Sequence, residues 1–297
     1  MTVDAPAGGR GTDRPAVPTT ATPAPDGPSR SVAADVLRRV GVSLLTFVVS
    51  AVVLVLLWYA FLSVFRIDSF VGKRPVDVWR YLFDVPAAAK NRSALLSGLG
   101  ITLSDAAIGF VSGTVLAVLV AVLFTLVRPL EFAFLPLAML LRSVPLVAMA
   151  PLIGLVFGRG IAGAAAIGGI VVFFPVLVNV SLGLRSASQQ SLDVVRVNGG
   201  SRWTALRMVA VPSALPNLFA ALRISVPGAV IGAMLYEWLF SAKGLGAAIF
   251  RANAQVQYNL VWAIVVVVTG ASIALYTVVG IVETVVLSAW GPSAGRR

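Results

Sequence analysis

Apolar residues run in long unbroken blocks along this chain, and polar residues collect between them. Val48–Leu57 and Ile264–Val268 are examples, with no alternation of polarity inside either. A helix needs about 20 apolar residues to cross ~30 Å of hydrocarbon. Blocks of that order predict spans at Val40–Phe65, Gly98–Val127, Leu130–Phe157, Ile161–Leu184, Leu218–Phe240 and Asn259–Leu287. The strands of an outer-membrane barrel would change polarity at every second residue instead. The expected fold is therefore all-α, a polytopic transmembrane helical bundle of about six spans.

The polar stretches divide the chain further. Residues 1–34 are rich in Pro, Ala, Thr and Gly and have no hydrophobic period, which predicts a disordered tail. No apolar core of a secretory signal occurs before about residue 40. Residues 35–297 read as one transmembrane domain. Residues 66–93 form a polar connection with a weakly amphipathic middle at Val76–Leu82. Arg142–Pro145 predicts a break in the third span, because proline lacks a donor and crowds the preceding turn. Gly158-Arg159-Gly160 predicts a short turn.

Composition agrees with this pattern. Of 297 residues, 58% are hydrophobic and 12% charged, and the mean hydropathy is +0.94. An ordinary soluble domain carries about 25% charged residues. The net charge of +11 fits cations flanking spans better than a nucleic-acid surface. Nucleic acid is therefore not an expected partner, and membrane lipid is. The chain has no Cys and no His. That excludes a disulfide, a Cys nucleophile and a His base, and no metal site is expected.

An even number of spans leaves both termini on one side. Cations concentrate on the inner side of membranes. Segment 185–216 carries Arg185, Arg196, Arg202 and Arg207 against the acid Asp193. It is placed inside, with both termini and hence the tail, although the cations of residues 66–93 pull the other way.

That inner segment is unusually long. Leu192–Val197 suits a short amphipathic helix, and Gly199-Gly200 then breaks it. A second helical run is expected over Ser201–Val211, with Ser201 as N-cap. Pro212 and Pro216 are expected to punctuate the approach to the fifth span. Such a hairpin either lies on the membrane surface alone or inserts as a knob into a soluble partner.

The spacing Asp193-Val194-Val195, three residues, Gly199, nine residues, Val209-Ala210-Val211-Pro212 resembles the "EAA" loop of the permease subunits of importer-type ATP-binding-cassette (ABC) transporters. Asp stands for the family Glu, Val-Val for Ala-Ala, and Val for Ile and Leu. Leu141–Pro145, Ala150-Pro151 and Phe157–Gly160 resemble the third-span region of the nitrate, sulfonate and taurine subgroup, and so does Glu237 with Gly244-Leu245-Gly246. Thr102-Leu103 with Gly109-Phe110 fits the second span, where the family often has Arg in place of Asp105.

The resemblance implies the type I importer permease fold and a translocation path for a small solute. That solute would be a nitrate-, sulfonate- or taurine-like anion, or a vitamin or pyrimidine precursor. Gln257-Tyr258 and Trp262-Ala263 lean to the pyrimidine-precursor and riboflavin type. The implied partners are cytoplasmic ABC ATPase subunits, an extracytoplasmic substrate-binding protein, and a second permease copy or a sibling permease. The implied location is a bacterial cell membrane. ATP and Mg²⁺ would belong to the ATPase, and no cofactor is expected in this chain. The sequence agrees on one point: it has no phosphate-binding Gly-x4-Gly-Lys-Ser/Thr loop. This chain is not expected to be an enzyme.

Ionisable residues within spans are costly and usually face a cavity or a partner. Asp105, Arg142, Arg223 and Glu237 stand out. Arg223 is expected to reach towards the interface. Asp105 calls for a cation on another span or in residues 66–93. Arg142 has two open roles, attracting an anion on the path or pairing with Glu237. The rival reading of the whole chain is an ion-coupled secondary transporter. That usually needs more embedded acids and an internal repeat, and none is evident.

Overall fold

The computed structural model describes residues 32–290. The expected tail at residues 1–31 lies outside them. Its last three residues, 32–34, are helical, because α1 runs over Val32–Val64. The chain separates into two units, Met1–Leu57 and Trp58–Arg297. Within the described residues the first unit is the larger part of α1.

The second unit is helical throughout its regular elements. A short helix, α2 (Pro75–Phe83), interrupts the polar connection near the expected amphipathic middle. Proline opens it and Asp77 accepts the Arg74 N–H at 3.0 Å. Then follow α3 (Ala88–Leu126), α4 (Arg128–Arg142), α5 (Leu146–Phe157) and α6 (Ile161–Arg185). The hairpin comprises α7 (Gln189–Val197) and α8 (Arg202–Ala205). A wide π turn at Leu206–Ala210 leads into α9 (Val211–Phe240), and α10 (Gly244–Ala254) and α11 (Tyr258–Trp290) complete the chain.

Four helices are long and apolar enough to cross a membrane: α3, α6, the continuous Arg202–Phe240 helix, and α11. Counting the bent pair α4 and α5 as one span gives up to five. Of α1, Val48–Val64 counts as a shorter apolar helix. Among the described residues, up to five of the expected six spans thus stand by length and apolarity.

The break at Arg142–Pro145 is present, and α4 and α5 meet there at 107°. Ser143 caps the end of α4, its hydroxyl donating to Leu140 O at 2.6 Å. The expected stop before the fifth span is absent. Helix runs unbroken from Arg202 through Pro212 and Pro216 to Phe240. Proline removes one backbone bond and crowds the carbonyl one turn back. The π turn just before Pro212 is the kind of widened turn that takes up such a mismatch without ending a helix.

The core lies where α3, α6 and α9 cross. Buried Ala117, Ala121, Val172, Val176, Leu177, Ala221, Val230 and Ala233 fill it. Glycines bring the backbones together. A Cβ on Gly109 would come 2.6 Å from Gly168 Cα, and one on Gly232 would come 2.9 Å from the same atom. Three helices therefore touch backbone to backbone around Gly168, as small residues permit in lipid. A further cluster, Val78, Leu95, Leu245, Ala263 and Ile264, packs α2 and α10 onto α3 and α11. Trp262 stacks on Trp58 with centroids 5.1 Å apart and donates to Val71 O at 2.8 Å.

Candidate functional site

Two regions carry polar chemistry: the hairpin at one end of the bundle and a few charges within the spans.

The hairpin is built from local signals. The Ser188 hydroxyl faces the Ser191 N–H at the start of α7. Asp193 accepts from Arg196 at 2.9 Å and Gln189 at 3.2 Å, along one exposed face. Gly199 has φ +81°, a conformation that favours glycine, and its N–H donates to Arg196 O at 2.9 Å. The Gly200 N–H donates to Val195 O at 2.8 Å, which closes the end of α7. Ser201 caps the next helix by accepting the Thr204 N–H at 3.2 Å. The turn and the Ser201 cap stand as the sequence indicates.

The hairpin faces two ways. Ala205, Leu206 and Ala210 are buried against the bundle. Val194, Val197, Trp203 and Met208 project outward, 57–88% exposed. Asp193 and Gly199 are exposed, while Val195 is half-buried. Val209 lies in the π turn, and Val211 and Pro212 open α9, so these three sit on the second arm. The structure therefore places Asp193, Val194 and Val195 on the first arm of the knob, Gly199 at its turn, and Val209, Val211 and Pro212 on the second arm.

Among the span charges, Glu237 is fully buried. Its Oε2 accepts from the Thr102 hydroxyl at 3.0 Å and the Gly246 N–H at 2.7 Å. The Leu245 N–H donates in turn to Thr102 Oγ1 at 2.9 Å. Gly244 has φ +83°, and a Cβ there would collide with the Glu237 carboxyl group. A Cβ on Gly246 would collide with the Met234 backbone. The Glu237 and Gly244-Leu245-Gly246 pattern thus has a physical cause. One carboxylate ties the start of α10 to α9 and α3, and only glycine leaves room for it.

The expected pairing of Glu237 with Arg142 is not made. Arg142 ends α4, exposed at the bend, and has no ion pair among the described residues. Glu237 is fully buried, with Oε2 held by Thr102 and Gly246, whereas Arg142 stands exposed at the bend. Asp105 lies one turn beyond Thr102 on α3. It forms no ion pair among the described residues, so the expected cation partner is absent. Arg223 pairs with Glu283 on α11 at 3.0 Å and lies over the Tyr276 ring. Another unforeseen pair joins Arg185, at the end of α6, to buried Glu131 on α4.

The fold is that of a multi-pass helical membrane protein with a polar hairpin at one end. A family described as the inner membrane component of binding-protein-dependent transport systems matches residues 93–288, and this chain belongs to it. A probable ABC transporter permease protein of Haemophilus influenzae is 30% identical over 220 residues, 72% of this chain and 88% of that protein. The formylaminopyrimidine transport permease protein ThiX of Halalkalibacterium halodurans is 35% identical over 156 residues, 52% of this chain and 62% of that protein. The crystal structure of an amino acid ABC transporter with histidines aligns with a TM-score of 0.50 at 16% identity. That alignment covers 67% of this chain and 95% of that one, and it supports the fold. The chain is thus an ABC importer permease, a transport subunit.

Proposed function

We propose that the hairpin couples this permease to a separate cytoplasmic ATPase. The observation that carries the reading is the set of exposed apolar side chains, Val194, Val197, Trp203 and Met208, on a knob capped at both helix starts. A rigid knob with an uncovered apolar face suits insertion into a groove on a partner. ATP and Mg²⁺ are held by that partner. ATP-driven closure of two ATPases draws two hairpins together, and energy enters through their different affinity for the two permease conformations. A second copy of this chain, or a sibling permease, supplies the other half of the path. A substrate-binding protein delivers the solute at the face opposite the hairpin.

The solute is a small anion or a vitamin or pyrimidine precursor. The relative named for formylaminopyrimidine transport favours the second group. Arg142 favours a path that also meets negative charge, since it is exposed at the α4–α5 bend and has no carboxylate partner among the described residues.

The test is ATP-driven uptake in proteoliposomes holding the permease, its ATPase and its binding protein. Gly199→Trp is expected to leave assembly of the permease intact and to abolish uptake. Unchanged uptake would sink the coupling assignment. Uptake that persists without ATP but collapses with the proton gradient would favour an ion-coupled transporter instead. Arg142→Ala is expected to lower uptake of anionic solutes while the protein assembles normally.

A further inference from the structure

The hairpin end of the bundle also encloses a cavity of about 970 Å³. It lies between the α3–α4 junction, the end of α6 and the inner side of the hairpin. Four arginines line it: Arg128, Arg185, Arg196 and Arg202. The carboxylate among the lining residues, Glu131, is buried and already paired with Arg185. Arg196 is held by Asp193. Arg128 and Arg202 have no ion pair among the described residues. Two uncommitted guanidinium groups therefore share one concave site, and guanidinium forks match phosphate oxygens in pairs.

The remaining wall is largely apolar. Leu206 is buried at the back, and Phe132 stands 77% exposed at the side of α4. A small inorganic anion would use the arginines and leave that wall without a partner. An amphiphile uses both. Basic pockets between membrane helices on the cytoplasmic side suit phospholipid headgroups, and the inner leaflet supplies anionic ones.

We propose that this cavity binds a phosphate-bearing anion, with the headgroup of an anionic inner-leaflet phospholipid as its source. The phosphate sits between Arg128 and Arg202, and the chains leave past Phe132. Bound there, the lipid joins the start of α4 to the second arm of the hairpin and braces the hairpin against the bundle. The proposal rests on the inner placement of the hairpin given above.

The test is native mass spectrometry of the full-length permease, purified alone and titrated with phosphatidylglycerol or phosphatidylcholine in mixed micelles. Wild type is expected to retain phosphatidylglycerol in preference. The double variant R128Q/R202Q is expected to bind it about thirtyfold more weakly, given the contribution of two arginines near an anionic surface. R128K/R202K keeps the charge without the paired donors and is expected to bind between wild type and R128Q/R202Q, which separates loss of the site from loss of the fold. Equal retention of phosphatidylglycerol by wild type and R128Q/R202Q overturns the proposal, as does equal retention of the two lipids by wild type. Inorganic phosphate that binds in phosphatidylcholine micelles and displaces phosphatidylglycerol overturns the lipid source. No ATPase is present in this measurement, so failure of the coupling reading leaves its outcome unchanged.

Discussion

The crossing of α3, α6 and α9 and the hairpin are opposite solutions for one chain. The crossing is complete in itself: glycine meets glycine, and buried alanines and valines fill the gaps. The hairpin buries one side and leaves Val194, Val197, Trp203 and Met208 uncovered. The first region spends its sequence on internal fit. The second spends it on a shape held ready, with caps and turns fixed but no cover within the chain. Substitutions in the crossing should therefore act on folding, and substitutions in the hairpin on function.

The sharpest way to break this contrast is Gly168→Leu. A side chain there has backbone in its way, because Gly109 Cα lies 2.9 Å from the position of a Cβ. Loss of monodisperse protein after solubilisation is expected, beyond the ~1–3 kcal/mol of ordinary overpacking. Recovery of well-folded protein would end the claim that the crossing needs glycine.

Glu237→Ala comes next. It leaves the Gly246 N–H and the Thr102 hydroxyl without their carboxylate acceptor in a buried site. A cost of about 2–3 kcal/mol is expected, read as a lower aggregation temperature. Glu237→Gln keeps one acceptor oxygen and should lose distinctly less. Equal losses for the two variants would mean that the carboxyl group fills space and no more.

Gly199→Val tests the other side of the comparison. The φ of +81° costs a β-branched residue about 1–2 kcal/mol, confined to an exposed turn with open space around it. The aggregation temperature should fall little, while ATP-driven uptake should be lost. A large drop in stability with uptake preserved would invert the contrast. The smallest effect is expected from Asp193→Ala. Its pair with Arg196 is exposed and local, worth a few tenths of a kcal/mol. Thermal stability should not change measurably, so any loss of uptake reports on the hairpin's role.

What could be read in the sequence was mostly local. Gly199-Gly200 announces its turn because a glycine pair is needed where the chain reverses. Arg142–Pro145 announces the bend because proline cannot continue the backbone ladder. Apolar blocks announce the spans by length alone. Contacts between distant positions carry no such mark. Thr102 and Glu237 stand 135 residues apart. Nothing in either neighbourhood names the other, so the Glu237 carboxylate was open to assignment to Arg142. Glu283 lies in an apolar stretch, and its link to Arg223 depends on how α9 and α11 turn against each other. The continuity through Pro212 escaped for a different reason. Proline in a sequence signals a stop, and the π turn that absorbs it leaves no signature in residue order.

That continuity has a mechanical consequence. The Arg202–Phe240 helix holds 39 residues, a contour of about 58 Å, nearly twice the thickness of the hydrocarbon. One end begins in the hairpin, and the other ends three residues after the carboxylate that grips α10. Such a member links the hairpin to the α10 end through helix alone, with no loop between them. A tilt of roughly 10° about its middle would carry each end about 5 Å, in opposite directions. A push on the hairpin would thus be delivered to the far face as a displacement of α10, without passing through a loop that could absorb it.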